Sequence, residues 1–276
     1  MIKIEVENLK LGYGHTEVVK DLSFQVNPGE MVGLIGPNGS GKSTIIKAMS
    51  NVLRPFSGRV LLDDRNIVKI PRVEVARLIG VVPQIPLLPS TFTAFEIVLM
   101  GRNPHLRMFQ YEGAGDMAIT WQAMGKTATQ SLAERMVGEL SGGEIQRLVV
   151  ARVLAQQPKS ILLDEPTANL DINHQVEILD LIKGLCREEN LTVVITLHDL
   201  NLASQYCDRL VLINEGLVHA QGTPTDVINE DNMSAVYGAE NCVYSHPVNG
   251  LPIILVKAGN GRFGKTGDAP VDKTNG

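Results

Sequence analysis

Apolar residues follow two different spacings along this chain, and together they predict an α/β protein. Near the N-terminus they alternate with polar residues, as at Ile4, Val6, Phe24 and Val26, which is typical of strands with one buried face. Further along they form short continuous runs, which indicate strands that are covered on both faces. These runs predict strands at 31–35, 59–62, 161–165, 193–196 and 209–213.

Apolar residues at helical spacing predict helices between those strands. One helix follows the strand at 31–35, and another runs from Asn173 to Glu189 with one apolar face. Pro71 and Pro224 stand where two shorter helices are expected to begin, because proline fits the first helical turn. We expect Gly80 to end the helix that Pro71 opens.

Residues 86–158 predict a helical insertion into this α/β pattern. Prolines cluster from Pro83 onward, and apolar residues then recur at helical spacing. We expect Gly101 to close the first helix of the insertion and Asp116 to cap the second. The helices are predicted at 93–100, 116–124 and 145–155.

The composition limits the classes of protein that the chain can belong to. Its 276 residues, 44% of them hydrophobic, suit one large globular domain or two modest ones. A net charge of −5, a pI near 5.7 and only 4% aromatic residues argue against nucleic-acid binding. No apolar run is long enough to span a membrane, and the alternating N-terminus does not resemble a signal peptide. Three widely spaced cysteines indicate free thiols in a reducing compartment.

Residues 36–43 fit the pattern G-x-x-x-x-G-K-[ST], which builds loops that hold nucleotide phosphates. A predicted strand precedes this loop and a predicted helix follows it, which is the context that the motif requires. Glycines let backbone N–H groups turn inward around an anion, and the helix N-terminus adds its own N–H groups. The competing interpretation is a glycine-rich turn that matches by chance. The candidate phosphate ligands are Gly36, Asn38, Gly39, Ser40, Gly41, Lys42, Ser43 and Thr44.

Within this loop, three side chains have specific expected roles. Lys42 supplies a positive charge for the β- and γ-phosphates, and the Ser43 hydroxyl is a candidate Mg²⁺ ligand. Thr44, the next residue of the helix, can donate to the α-phosphate.

Polar residues follow several buried strands at the edge where open parallel sheets bind their ligands. Asp164 is a candidate Mg²⁺ ligand, and Glu165, one residue later, is a candidate general base for an attacking water. His198 can contact a γ-phosphate, and Gln84 can bridge Mg²⁺ and the water. Taken alone, an Asp-Glu pair after a strand is usually a helix cap, and a lone histidine is usually a satisfied polar residue.

Two further features have both a structural and a functional interpretation. Tyr13 lies between two glycines in a predicted turn, where it can stack on a flat base or shield a strand end. Ser141 and Glu144 have the spacing of a capping box at the start of a helix, so Ser141 can be a cap and nothing more.

The segment Ser141-Gly142-Gly143-Glu144, between the phosphate loop and the strand that ends in Asp164 and Glu165, resembles the signature of the ATP-binding cassettes of ABC transporters. The resemblance covers roughly residues 1–255. It implies a P-loop NTPase fold with a mixed sheet core, an N-terminal antiparallel β subdomain and a helical insertion. It also implies ATP and Mg²⁺ as cofactors.

In that family two cassettes dimerise head to tail, and the signature of one subunit closes over the ATP of the other. The resemblance therefore implies that Ser141, Gly142 and Gly143 contact the partner's nucleotide. It implies that Asp171 crosses the dimer interface, and that His198 is the switch histidine. For two of the candidate site residues the resemblance implies family roles: Tyr13 stacks on adenine, and Gln84 senses Mg²⁺ and the membrane partner. Ala168-Asn169 departs from the commoner Ser-Ala at the turn before Asp171.

The segments 101–105, 165–175 and 246–247 resemble those of importers of iron(III)-siderophores, haem and cobalamin. This resemblance implies an ATP-hydrolysing subunit on the cytoplasmic face of the cell membrane. Its expected partners are a second cassette, transmembrane permease subunits and, indirectly, a substrate-binding protein. The alternatives are an ABC ATPase of another importer or exporter class, or a soluble ABC ATPase. We expect the cassette to cover 1–258, with its helical subdomain at about 86–158 and a disordered tail at 259–276.

Overall fold

The computed structural model describes residues 2–238 and 241–256. Within them a ten-stranded sheet runs in the order β5-β4-β1-β2-β10-β9-β3-β8-β7-β6, and β11 and β12 pair separately. The strands are β1 (Ile4–Tyr13), β2 (Thr16–Val26), β3 (Met31–Ile35), β4 (Ser57–Leu62), β5 (Arg65–Asn66), β6 (Ile79–Val82), β7 (Ser160–Asp164), β8 (Thr192–Thr196), β9 (Arg209–Asn214), β10 (Leu217–Gly222), β11 (Asn241–Ser245) and β12 (Pro252–Val256).

The sheet has two parts with different strand directions. The strands β5, β4, β1 and β2 pair antiparallel, whereas β6, β7, β8, β3 and β9 pair parallel, and β10 runs antiparallel to β9. A single parallel pair, Leu217 with Asp21, joins the two parts. The mixed sheet and the N-terminal antiparallel part confirm the predicted fold class.

The helices are α1 (Lys42–Met49), α2 (Arg72–Leu78), α3 (Ala94–Leu99), α4 (Ala114–Lys126), α5 (Gly142–Ala155), α6 (Ile172–Glu188), α7 (Leu200–Tyr206), α8 (Pro224–Val227) and α9 (Glu230–Tyr237). Short 3₁₀ helices lie at Ile67–Lys69, Met100–His105, Gln130–Leu132 and Val137–Glu139. No helix of the described residues is both long and apolar enough to cross a bilayer.

Three apolar cores hold these layers together. One core lies between the N-terminal strands and α1, where Ile4, Val26 and Ile45 are fully buried. A second covers the opposite face of the parallel strands with α5 and α6, around Val149 and Leu179. A third lies among α3, α4 and α5, so the predicted helical insertion has its own apolar interior.

Three predictions made at helix ends were wrong. The helix α2 ends at Leu78, and Gly80 lies in β6, where a Cβ would stand 2.3 Å from Val153 Cγ1. Gly101 does not close α3, because the chain continues as a 3₁₀ helix. Asp116 is not the N-cap of α4. That residue is Gly113, whose N–H donates to Asp116 Oδ2 at 3.1 Å.

The cysteines are free thiols, as predicted: Cys186 and Cys207 are buried and Cys242 is partly exposed. The tail predicted at 259–276 lies outside the described residues.

Candidate nucleotide-binding site

The phosphate loop connects the end of β3 to the start of α1. Its backbone enters the left-handed region at Gly36 (φ 145°), Gly39 (φ 79°) and Gly41 (φ 106°), which other residues rarely adopt. At Gly36 space is also limiting, because a Cβ would lie 2.1 Å from the carbonyl oxygen of Ile213. These glycines are therefore required by the course of the backbone.

Lys42 folds back over this loop and is only 5% exposed. Its Nζ donates to the carbonyl oxygens of Gly36 (2.8 Å) and Pro37 (3.0 Å). Burial lowers the pKa of Lys42, although Glu165 and Asp164 act in the opposite direction. The buried Ser40 Oγ has no hydrogen-bond partner among the described residues. A buried ammonium group and an unpaired hydroxyl suit an anionic ligand such as a nucleotide phosphate.

Asp164, the last residue of β7, accepts hydrogen bonds from two hydroxyl groups. Its Oδ1 accepts from Ser43 Oγ (3.0 Å) in α1 and from Thr196 Oγ1 (2.9 Å) at the end of β8. Carboxylate and hydroxyl oxygens are the hard ligands that Mg²⁺ prefers, so this pair fits a Mg²⁺ site beside the phosphate loop.

Glu165 is held from both sides. Its carboxylate accepts from Gln84 Nε2 at 2.5 Å and contacts His198 Nε2 at 2.5 Å. Its backbone has φ 48°, a left-handed conformation that is uncommon for a non-glycine residue. Its N–H donates to Thr196 Oγ1 at 2.7 Å. The carboxylate of Glu165 is thus fixed at the edge of the sheet rather than used as a helix cap.

These groups surround one cleft of ≈ 380 Å³. The predicted residues that line it are Asn38, Gly39, Gly41, Lys42, Ser43, Thr44, Gln84, Glu165 and His198. The sequence pattern therefore identified residues that the fold brings together from four separate segments.

Tyr13 ends β1 and does not lie in the turn that was predicted for it. Its ring is 48% exposed, and Lys47 Nζ donates to its hydroxyl at 3.2 Å. Burial raises the pKa of Tyr13, but hydrogen bonds from Thr44 and Lys47 outweigh this effect and lower it overall. The exposed aromatic ring lies next to the phosphate loop. Its contact with adenine therefore stays a prediction.

The signature residues lie on a different surface. Ser141 caps α5, because its hydroxyl accepts from the N–H of Glu144 and the Glu144 carboxylate accepts from the N–H of Ser141 (2.8 Å). Gly143 packs against the ring of His174, which is bonded to Asp171, the cap of α6. None of Ser141, Gly142, Gly143 and Asp171 is among the residues that line the cleft.

Sequence reasoning missed two residues of the site. Thr196 connects Asp164 to the backbone of Glu165, and its position at a strand end beside other polar residues was the available signal. Val18, in β2, forms one wall of the cleft. Nothing in the local pattern distinguishes it from any other strand valine.

The fold and the cleft define a P-loop nucleotide-binding protein with a cassette architecture. The family model described as ABC transporter matches residues 19–168, and the chain belongs to this family.

Among its relatives is a probable siderophore transport system ATP-binding protein of Bacillus subtilis, 38% identical over 262 residues, which are 95% of each chain. A solved structure of a putative metal-chelate type ABC transporter in an inward-facing conformation is similar over 93% of this chain and 98% of its own, with a TM-score of 0.81 and 28% identity. A dimeric bacterial ABC transporter cassette is similar over 80% of this chain and 98% of its own, with a TM-score of 0.71 and 29% identity.

Proposed function

We propose that this chain is the ATP-hydrolysing subunit of a membrane importer of metal chelates. The observation that carries the proposal is the carboxylate of Glu165, which Gln84 and His198 hold at 2.5 Å on either side, next to the phosphate loop. A carboxylate fixed in this way is placed to orient a water molecule and accept its proton.

The other residues of the cleft position the substrate for this step. Lys42 and the loop N–H groups bind the β- and γ-phosphates, and His198 contacts the γ-phosphate. Ser43, Asp164 and Gln84 would hold Mg²⁺, which neutralises charge on the phosphates when it is bound. Tyr13 stacks on the adenine ring.

A second copy of the chain completes the site. Ser141, Gly142 and Gly143 present a helix N-terminus on a surface separate from the cleft, where it can bind the phosphates of a partner's nucleotide. Asp171 lies beside this surface, as a residue at the dimer interface would. The similarity to a dimeric cassette supports this arrangement.

Relatives support the class of cargo, since both a siderophore system and a metal-chelate type transporter resemble this chain over most of its length. We place the cassette at 1–258 and its helical subdomain at about 86–158, where it docks on permease subunits at the cytoplasmic face of the membrane. A substrate-binding protein acts on the outer side of the same permease. Co-purification with a permease distinguishes this function from that of a soluble ABC ATPase.

Replacing Glu165 with glutamine tests the proposal. The variant keeps the shape of the side chain and removes the base, so we expect ATP binding to persist while hydrolysis falls by about 10²–10⁴-fold. In cells that carry it, uptake of labelled ferric siderophore and of labelled cobalamin is measured beside wild type. Loss of one uptake only identifies the cargo. Hydrolysis at the wild-type rate would remove Glu165 from its role, and unchanged uptake of both would contradict metal-chelate import of these two classes.

A further inference from the structure

His198 is attached to the fold through a helix that the C-terminal hairpin supports. The histidine lies between the end of β8 and Asp199, which caps α7 by accepting from the N–H groups of Asn201 (2.8 Å) and Leu202 (3.0 Å). The His198 side chain is 47% exposed and meets Glu165 at its Nε2. The position of α7 therefore sets where this ring stands.

The hairpin of β11 and β12 binds α7 along the free edge of β12. The side chain of Asn201 pairs with the backbone of Ile254 as a neighbouring strand would. It accepts from the N–H of Ile254 at 2.7 Å and donates to the carbonyl of the same residue at 3.3 Å. Ser204, which is fully buried, donates to the carbonyl of Pro252 at 2.7 Å. Pro252 has no N–H, so only three backbone groups of residues 252 and 254 face the helix. The bonds from Asn201 and Ser204 satisfy all three of them.

Apolar packing supports the same attachment. Val243 and Ile254 of the hairpin pack against the core that includes Ile35 and Leu197, the residues just before the phosphate loop and His198. Tyr237, at the end of α9, packs against this core too. The C-terminal segment thus packs against the same apolar core as the residues that precede the phosphate loop and His198.

We propose that Asn201 and Ser204 are positioning residues, which use the hairpin β11–β12 to hold α7 and thereby keep His198 against Glu165. This inference rests on the proposed hydrolysis at Glu165. It assigns to the C-terminal hairpin, which lies beyond the matched residues 19–168, a role in the hydrolytic step itself.

The test uses the full chain with the double substitution N201A/S204A. Without its anchors the hairpin should separate from α7, and the backbone amides of residues 253–256, above all that of Ile254, should exchange with deuterium faster than in wild type. Because a small displacement of a positioned group is costly, we expect kcat for ATP to fall by about tenfold. KM for ATP should stay within about twofold, since the phosphate loop keeps its own contacts.

The control is N66A, which removes an asparagine that caps the distant 3₁₀ helix by accepting from the N–H of Val68. It should leave both kcat and the amide exchange at 253–256 unchanged. A double variant with faster exchange but wild-type kcat would overturn the proposal, as would unchanged exchange, which would show that these bonds do not anchor the hairpin. A kcat loss matched by N66A would indicate general destabilisation. Failure of the proposed function has a different signature, namely that the substitution E165Q leaves hydrolysis intact.

Discussion

At the scale of single residues, the two glycines of the signature have different requirements. A Cβ at Gly143 would stand 2.4 Å from Cδ2 of His174, whereas a Cβ at Gly142 would meet only Leu170 Cδ2 at 3.9 Å. The His174 ring cannot easily move away, because its Nδ1 is bonded to Asp171 at 2.8 Å. Gly143 is therefore needed for packing between α5 and α6.

This difference predicts that G143A destabilises the fold by about 1–3 kcal/mol through overpacking, while G142A stays within about 0.5 kcal/mol of wild type. Urea denaturation of both variants measures the free energy of unfolding. The substitution H174A should remove the clash, so G143A placed in an H174A background should cost much less. Equal destabilisation by G142A and G143A would show that the His174 contact is not the cause.

Several site residues could be predicted because their chemistry is local. A phosphate loop needs glycine, lysine and a hydroxyl at fixed spacing, and the polar residues at parallel strand ends meet at one edge whatever the rest of the chain does. The bridging role of Thr196 and the left-handed backbone of Glu165 depend on which strands become neighbours. Residue spacing alone does not contain that information.

At the scale of elements, the two wrong predictions about glycines share one physical cause, since a Cβ at Gly80 or at Gly101 would collide with a residue of α5. Gly101 looks like a helix terminator in sequence, but a Cβ there would lie 2.2 Å from the carbonyl oxygen of Arg152. It lets the 3₁₀ helix at Met100–His105 approach α5. A glycine that ends a helix and a glycine that lets two helices touch cannot be distinguished without knowing the packing partner.

Arg102, which follows Gly101, connects three segments of the helical region through its side chain. Arg102 is 5% exposed, pairs with Asp116 of α4 at 2.8 Å, and donates to the carbonyl of Ala155 (2.8 Å) and to Gln157 Oε1 (3.0 Å). Hydrogen bonds from Arg102 and from the N–H of Gly113 lower the pKa of Asp116. Arg102 lies in one of the segments that resemble metal-chelate importers, and its contacts stabilise the packing of the helical region.

We therefore expect R102A to destabilise the fold by about 3 kcal/mol, because it leaves Asp116 and two oxygen acceptors without their buried partner. The nearby R107A, at an exposed residue whose side chain has no hydrogen bond among the described residues, is the matched control and should change stability by less than about 0.5 kcal/mol. Thermal and urea unfolding measure both. Similar free energies of unfolding for the two variants would argue against this stabilising role of Arg102.

At the scale of the whole molecule, the residues of the proposed site are divided between two surfaces. The cleft holds the phosphate loop, Glu165 and His198, but the signature around Ser141 does not line it. In the proposed function, the exposed start of α5 would contact the nucleotide of another molecule, and none of the signature residues lines the cleft of its own chain. Two chains related by a two-fold axis would then form two identical composite sites.

This division predicts complementation between inactive variants. K42A lacks the ammonium group that binds phosphate but keeps its signature, whereas S141R keeps its phosphate loop and blocks its signature with a bulky charge. Each variant alone should hydrolyse ATP at a small fraction of the wild-type rate. Mixed dimers contain one site built from the intact loop of one chain and the intact signature of the other, so turnover should return on mixing. Turnover is followed as phosphate release at several mixing ratios, and it should peak near equal amounts. If the mixture is no more active than its components, the two halves of the site do not meet across a dimer.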